Sequence, residues 1–208
     1  MKRQAGFTLV EIAIVLVVIG LLLGGVLKGQ ELILNSQIRN SINEYNNVAA
    51  ARFAYQDRYR QIPGDDPTAV ARWGATVTDG NGNRLIDGAW DATTAVPGTT
   101  EAGIFWQHLR NDGLVSGPRT GDTSLALPRN AFDGDAGVQE TAFNDAIIGS
   151  VICQSNIPVK AAVIIDTRID DGLGNDGSLQ GITGTAVTAA SVAYDTTESD
   201  RYTLCREL

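Results

Sequence analysis

The pattern of apolar and polar positions divides this 208-residue chain into an unbroken greasy head and a patterned remainder. Residues 7–27 read FTLVEIAIVLVVIGLLLGGVL, 21 positions in which Glu11 is the only charge. About 20 apolar helical residues cross a bilayer core, so this segment is long enough to span one. Lys2 and Arg3 stand before it and favour a cytoplasmic start, with the rest of the chain outside. No proline occurs before Pro63, and helix formers dominate from Phe7 to Tyr59. The pattern therefore predicts one helix over residues 7–59, roughly 80 Å long at about 1.5 Å per residue. Beyond the apolar run, Ile38, Ile42, Tyr45, Ala49 and Phe53 recur at three- and four-residue steps, with Arg39, Asn43, Glu44, Asn46 and Asn47 elsewhere. That is an amphipathic continuation over residues 28–60, whose stripe must be covered by a domain.

The domain is residues 61–208. Ile62-Pro63-Gly64-Asp65-Asp66-Pro67 ends the helix and turns the chain. TEAGIFWQHLRNDGLV predicts a short helix from Glu101 to Asp112, closed by Gly113 and packing through Ile104, Phe105, His108 and Leu109. Residues 117–146, rich in Gly, Asp and Pro, read as a long loop. AIIGSVICQ reads as a strand, and Asn156 can cap a helix from Pro158 that Gly172 terminates. SLQGITGTAV and RYTLCREL read as closing strands. The fold class expected is α+β.

Charge sharpens this division. The net charge is −8, but residues 1–60 carry +3 and the remainder −11. An acidic domain does not bind nucleic acid or anionic lipid by simple attraction, and it suits a solvent-facing, cation-tolerant surface. With 23 Gly and only 5 Tyr and 5 Phe, the domain should be rich in loops.

A carboxylate at bilayer depth costs on the order of 3 kcal/mol, so Glu11 needs a reason. A secretory signal peptide would show a small-residue cleavage site after its core, and none follows Gly24–Gly25. A plain signal anchor explains the length and gives Glu11 no task. Met1-Lys-Arg-Gln-Ala-Gly6 followed by Phe7-Thr8-Leu9-Val10-Glu11 resembles the prepilin leader of type IV pilins and type II secretion pseudopilins. The resemblance implies a leader over residues 1–6 and cleavage between Gly6 and Phe7 by a prepilin peptidase, which then methylates the new Phe7 amine. It makes residues 7–27 the transmembrane and polymerisation helix. It also implies a pilin-like fold, in which the long N-terminal helix packs on a small, loop-rich, mainly antiparallel sheet headgroup.

Glu11 becomes the fifth residue of the mature chain, where it can pair with the Phe7 amine of a neighbouring subunit. In an apolar filament core that attraction grows, desolvation takes back much of it, and the lasting consequence is register. The partners implied are identical or related pilin subunits, the peptidase and a pilus or secretion assembly machinery. The location implied is the bacterial inner membrane before assembly and a periplasmic or extracellular filament afterwards. Many type IV pilins carry a proline in the membrane half; here Gly20, Gly24 and Gly25 stand in that region instead. IPGDDP, FWQHL and the run from Ser155 to Gly177 also resemble segments common in bacterial prepilin-like proteins.

Candidate chemistry is sparse. In DGNGNRLIDG, Asp79, Asn81, Asn83 and Asp87 take positions 1, 3, 5 and 9 of a calcium-type loop, with the Leu85 carbonyl at position 7. Arg84 replaces the usual Gly, and Trp90 stands where a bidentate Glu belongs. The same residues also suit a tight Gly/Asn turn. Asp170, Asp171, Asn175 and Asp176 offer a second cation loop. His108, the only histidine, has no neighbour for a zinc site and reads as a packing or surface residue. Cys153 and Cys205 read as a disulfide outside the cytoplasm, with two buried thiols as the other reading; type IV pilins often have a disulfide-bounded C-terminal region. No nucleophile-and-base motif points to an enzyme. The functions left are a pilus-like subunit, a secretion pseudopilin with a calcium-stabilised headgroup, or a pilin-like adhesin exported by this leader.

Overall fold

The long helix is realised as α1, Leu9–Tyr59, and it runs without a break through Gly20, Gly24 and Gly25. The structure, a computed structural model, describes residues 9–96, 98–197 and 199–208, with Asp122 described through its backbone alone. β-Branched Ile and Val crowd the first half of α1 and weaken a helix in water. In an apolar medium they matter less, because a helix satisfies its own backbone groups there. The chain divides between Gln37 and Ile38 into two units, each taken separately below.

In the first unit every side chain from Leu9 to Lys28 is exposed. In the second, the rest of α1 is followed by α2 (Ala69–Trp73), α3 (Glu101–Asp112), a 3-10 turn at Asp122–Leu125, β1 (Ala136–Ala142), β2 (Ile147–Pro158), α4 (Val159–Ile169), β3 (Leu179–Thr183) and β4 (Arg201–Glu207). The four strands form one antiparallel sheet in the order β1-β2-β4-β3. The α+β layout expected from the pattern is the one observed.

Three local expectations are corrected. The buried face of α1 runs through Ile38, Ser41, Tyr45, Val48, Ala51 and Tyr55. Ala49 is half-buried and Phe53 is 51% exposed. A stripe drawn through apolar residues alone missed that Ser41 and two tyrosines bury their hydroxyls with partners: Ser41 donates to Gln154 Oε1, and Tyr45 to the Leu204 carbonyl at 2.9 Å. Second, the loop expected over 117–146 contains β1, a strand disguised by its small and polar residues AGVQETA. Third, Asn156 does not cap α4. It sits at φ 63° where the register of β2 against β4 slips between Gln154 and Ile157, and its amide donates to the Phe132 carbonyl.

α3 is placed as expected, ending at Gly113 in the left-handed conformation (φ 79°), whose N–H returns to the Arg110 carbonyl. It is buried nearly all round, from Glu101 to Arg110, rather than on one stripe. A core of Trp90, Phe143, Val151, Ile182 and the two cysteines lies on the sheet.

Candidate functional site

In the first unit, α1 holds an 18-residue window of mean hydropathy 2.8, and it is the one helix among the described residues long and apolar enough to cross a membrane. Glu11 lies in its first turn, where a carboxylate interacts favourably with the positive end of the helix dipole. Gly6 and Phe7 lie outside the described residues.

In the second unit, the loop of residues 79–88 is fastened from beneath by two acids that the sequence reading did not single out. Asp65 is 1% exposed and accepts backbone N–H groups from Gly82 (2.6 Å), Asn83 (3.0 Å) and Arg84 (2.7 Å). Glu101, fully buried in the first turn of α3, accepts from Asn81 (2.9 Å), Asp87 (3.1 Å) and Gly98 (3.1 Å). Gly80 lets the loop approach this closely, because a Cβ there would lie 2.2 Å from the Asp65 carbonyl carbon. Burial raises both carboxyls above their ordinary range; the backbone donors pull the other way, and negative neighbours (Asp87 for Asp65, Asp65 for Glu101) add to the rise. The readable signal was in the sequence: an acid inside a Pro-Gly turn and another opening a helix.

Of the residues matched to a calcium-type loop, the structure brings three together. The side-chain amides of Asn81 and Asn83 each donate to Asp87 Oδ2 at 2.8 Å, while their oxygens accept the N–H groups of Asn83 and Leu85. Asp79 turns away and accepts the Val70 N–H at 2.7 Å. The loop thus closes through its own hydrogen bonds.

The same corner joins α1 to α3. Asp66, fully buried, accepts from Tyr55, Thr68 and the Arg72 guanidinium. Burial pushes its carboxyl up, but those donors outweigh it and the net shift is downward. His108 is buried; Nδ1 accepts the Gly64 N–H at 3.0 Å and Nε2 lies 2.8 Å from the Thr78 carbonyl. Its ring stacks on Tyr55 with centroids 6.0 Å apart. Burial lowers its pKa to about 4, so it is a neutral packing residue, as the lone-histidine reading held.

Across the sheet, Cys153 and Cys205 are register partners on β2 and β4 and form a disulfide, 52 residues apart in sequence. The free-thiol reading is thereby set aside. Near the end of α4, one carboxylate oxygen each from Asp166, Asp170 and Asp171 lie within 4.8 Å of one another. Of the second candidate loop the structure therefore brings together Asp170 and Asp171 and adds Asp166, which accepts from Tyr194 and Gly172.

Residues 1–27 match the family model for the prokaryotic N-terminal methylation motif. The chain carries the leader signature of type IV pilins and pseudopilins. The match covers Gly6, Phe7 and Glu11, and its family is structural rather than enzymatic. It implies processing by a prepilin peptidase and entry into pilus or secretion assembly. With the apolar head of α1, it fits anchoring in a membrane before assembly. No curated protein matches the chain. The pilin signature therefore speaks for the helix, and the role of the headgroup rests on its own geometry.

Proposed function

We propose that the protein is a structural subunit of a type IV pilus-like filament, cut between Gly6 and Phe7 and assembled through α1. One observation carries this reading: a continuous helix exposes an apolar run bearing a single acid, and that acid falls five positions after the proposed cut. In lipid the run is solvated. In a filament the same run packs against copies of itself in a head-to-tail arrangement that does not close. The amine released at Phe7 supplies a cation for Glu11 of a neighbouring subunit, and their pairing fixes the register between subunits. Expression with and without a prepilin peptidase, read by mass spectrometry of the N-terminus, tests the proposal. Loss of residues 1–6 with a methylated Phe7 supports it; an intact terminus, or a cut after Leu27, contradicts it.

The second reading is a pseudopilin whose headgroup is stabilised by calcium. Favouring it, Asn81, Asn83 and Asp87 converge and the buried Asp65 and Glu101 add negative charge beside them. Asp79 and the Leu85 carbonyl would complete the set only if Asp79 released Val70. Isothermal titration at millimolar Ca²⁺ separates the readings: bound calcium favours the pseudopilin, and no heat leaves the loop closed by its own hydrogen bonds.

A further inference from the structure

Seven non-glycine residues among those described hold the left-handed backbone. Four are Asp or Asn, which tolerate it, and Phe143 is packed in the core. The other two are Arg60 (φ 58°) and Arg84 (φ 72°). Arg60 follows the end of α1, where its N–H returns to the Gln56 carbonyl at 2.8 Å and glycine is the usual residue. Arg84 stands where a calcium-type loop has glycine, and its N–H is tied to the buried Asp65 at 2.7 Å. At both places the chain keeps a guanidinium at the cost of backbone strain, and such strain gathers at sites that hold ligands.

The two arginines line one hollow. It measures about 430 Å³, and Gln56, Gln61 and Asp65 share its wall. That volume is in the range of small-ligand sites. Among the described residues neither guanidinium has an ion pair or a hydrogen bond, and neither side-chain amide of Gln56 and Gln61 has a partner. A single unpaired arginine on a surface is ordinary. Two in one hollow are not, on a domain whose net charge is −11. The acid in the wall is already answered: Asp65 Oδ1 accepts the Gly82 and Asn83 N–H groups, and Oδ2 that of Arg84.

We infer that this hollow binds a phosphate group, free or on a small ester, held between the guanidinium groups of Arg60 and Arg84. Each guanidinium presents a planar fork of N–H donors that takes two oxygens. A carboxylate, with two oxygens and one charge, saturates one fork. Two forks flanked by two amides call for three or four acceptor oxygens on one centre and a charge of about −2, which a phosphate supplies.

The arginine Nε–H signals of the ¹⁵N-labelled full chain, held in detergent micelles, read this directly, and Arg60→Gly and Arg84→Gly assign them. Both variants keep the fold, because glycine takes a left-handed backbone without strain; an unlowered urea midpoint checks this. Titration with glycerol 3-phosphate shifts both signals and saturates by about 10 mM, a range suited to so small a ligand. Inorganic phosphate shifts the same two signals, and the tighter of the two probes names the source. The signal of Arg129, which is paired with Asp135, stays in place. Acetate binds about tenfold more weakly, and each glycine variant weakens the phosphate response at the remaining arginine about tenfold, the loss expected of a hydrogen bond to a charged group. No shift at Arg60 and Arg84 with either phosphate overturns the proposal. A response to acetate equal to that of phosphate, or a response at one arginine unchanged by removal of the other, overturns it as well.

Discussion

The two units of this chain treat polarity in opposite ways. From Leu9 to Lys28 the helix exposes every side chain, nearly all of them apolar, and keeps one acid. From Ile38 onward, most large apolar side chains are covered, and buried acids such as Asp65, Asp66 and Glu101 are met by donors within the same unit. The second unit is complete in itself. The first is stable only in lipid or among copies of itself, because so much exposed apolar surface cannot stay in water. On the proposed reading, assembly belongs to the first unit, and the second sets what the assembly presents.

The sharpest way to break this division is Glu11→Ala. The account expects membrane insertion to be retained, since an intramembrane charge has been removed, and filament yield to collapse. Unfolding of the headgroup should be unchanged. Counting sheared filaments beside a urea titration in micelles checks both halves. Normal filaments would remove the register role.

On the self-sufficient side, Cys153→Ser with Cys205→Ser should be the costliest change. Releasing a cross-link between residues 52 apart removes about 4 kcal/mol by the chain-entropy relation. A loss of unfolding free energy below about 1 kcal/mol in a urea titration would mean the sheet holds β4 without the bond. Polymerisation determinants in α1 are untouched by this pair, so any filament loss should follow headgroup unfolding.

His108 gives a smaller, pH-dependent test. Its folded pKa is about 4, while the unfolded value is about 6.5. Between those values the unfolded chain binds a proton that the fold resists, so stability falls as pH falls. The loss from this group totals about 3 kcal/mol by pH 4. Asp65 and Glu101 act in the opposite sense: with folded pKa values raised, their contribution grows as pH drops through those values. The wild type should therefore be compared with His108→Gln, whose stability difference from wild type should narrow steadily from pH 7 to pH 4. A constant difference would contradict the buried neutral ring.

Much of this was legible in the sequence, and the rest was hidden for identifiable reasons. The apolar run, the absence of proline before Pro63, and Gly113 after α3 were each sufficient to place an element. β1 was missed because Val138 and Thr141 are the only branched residues in AGVQETA and none is aromatic; its place comes from pairing with β2. The face of α1 was drawn through Phe53 because apolar spacing cannot show that Tyr55 finds Asp66 across eleven residues. Asp65 stands in a turn and Glu101 opens a helix in the sequence, and only the fold brings the 79–88 loop over them. The smallest prediction turns on this: Phe53→Ala should cost under about 0.5 kcal/mol, whereas Tyr55→Phe, which takes a donor from the buried Asp66 carboxylate, should cost about 1.5 kcal/mol. Urea midpoints in the reverse order would restore the original face.

The central claim is that a cation created by cleavage of one copy answers the acid of the next. Electron density for the native filament tests it most directly. The account predicts the Glu11 carboxylate within about 4 Å, ion-pair range, of the Phe7 amine of an adjacent subunit. Filaments in which each Glu11 lies far from every Phe7 amine would contradict it.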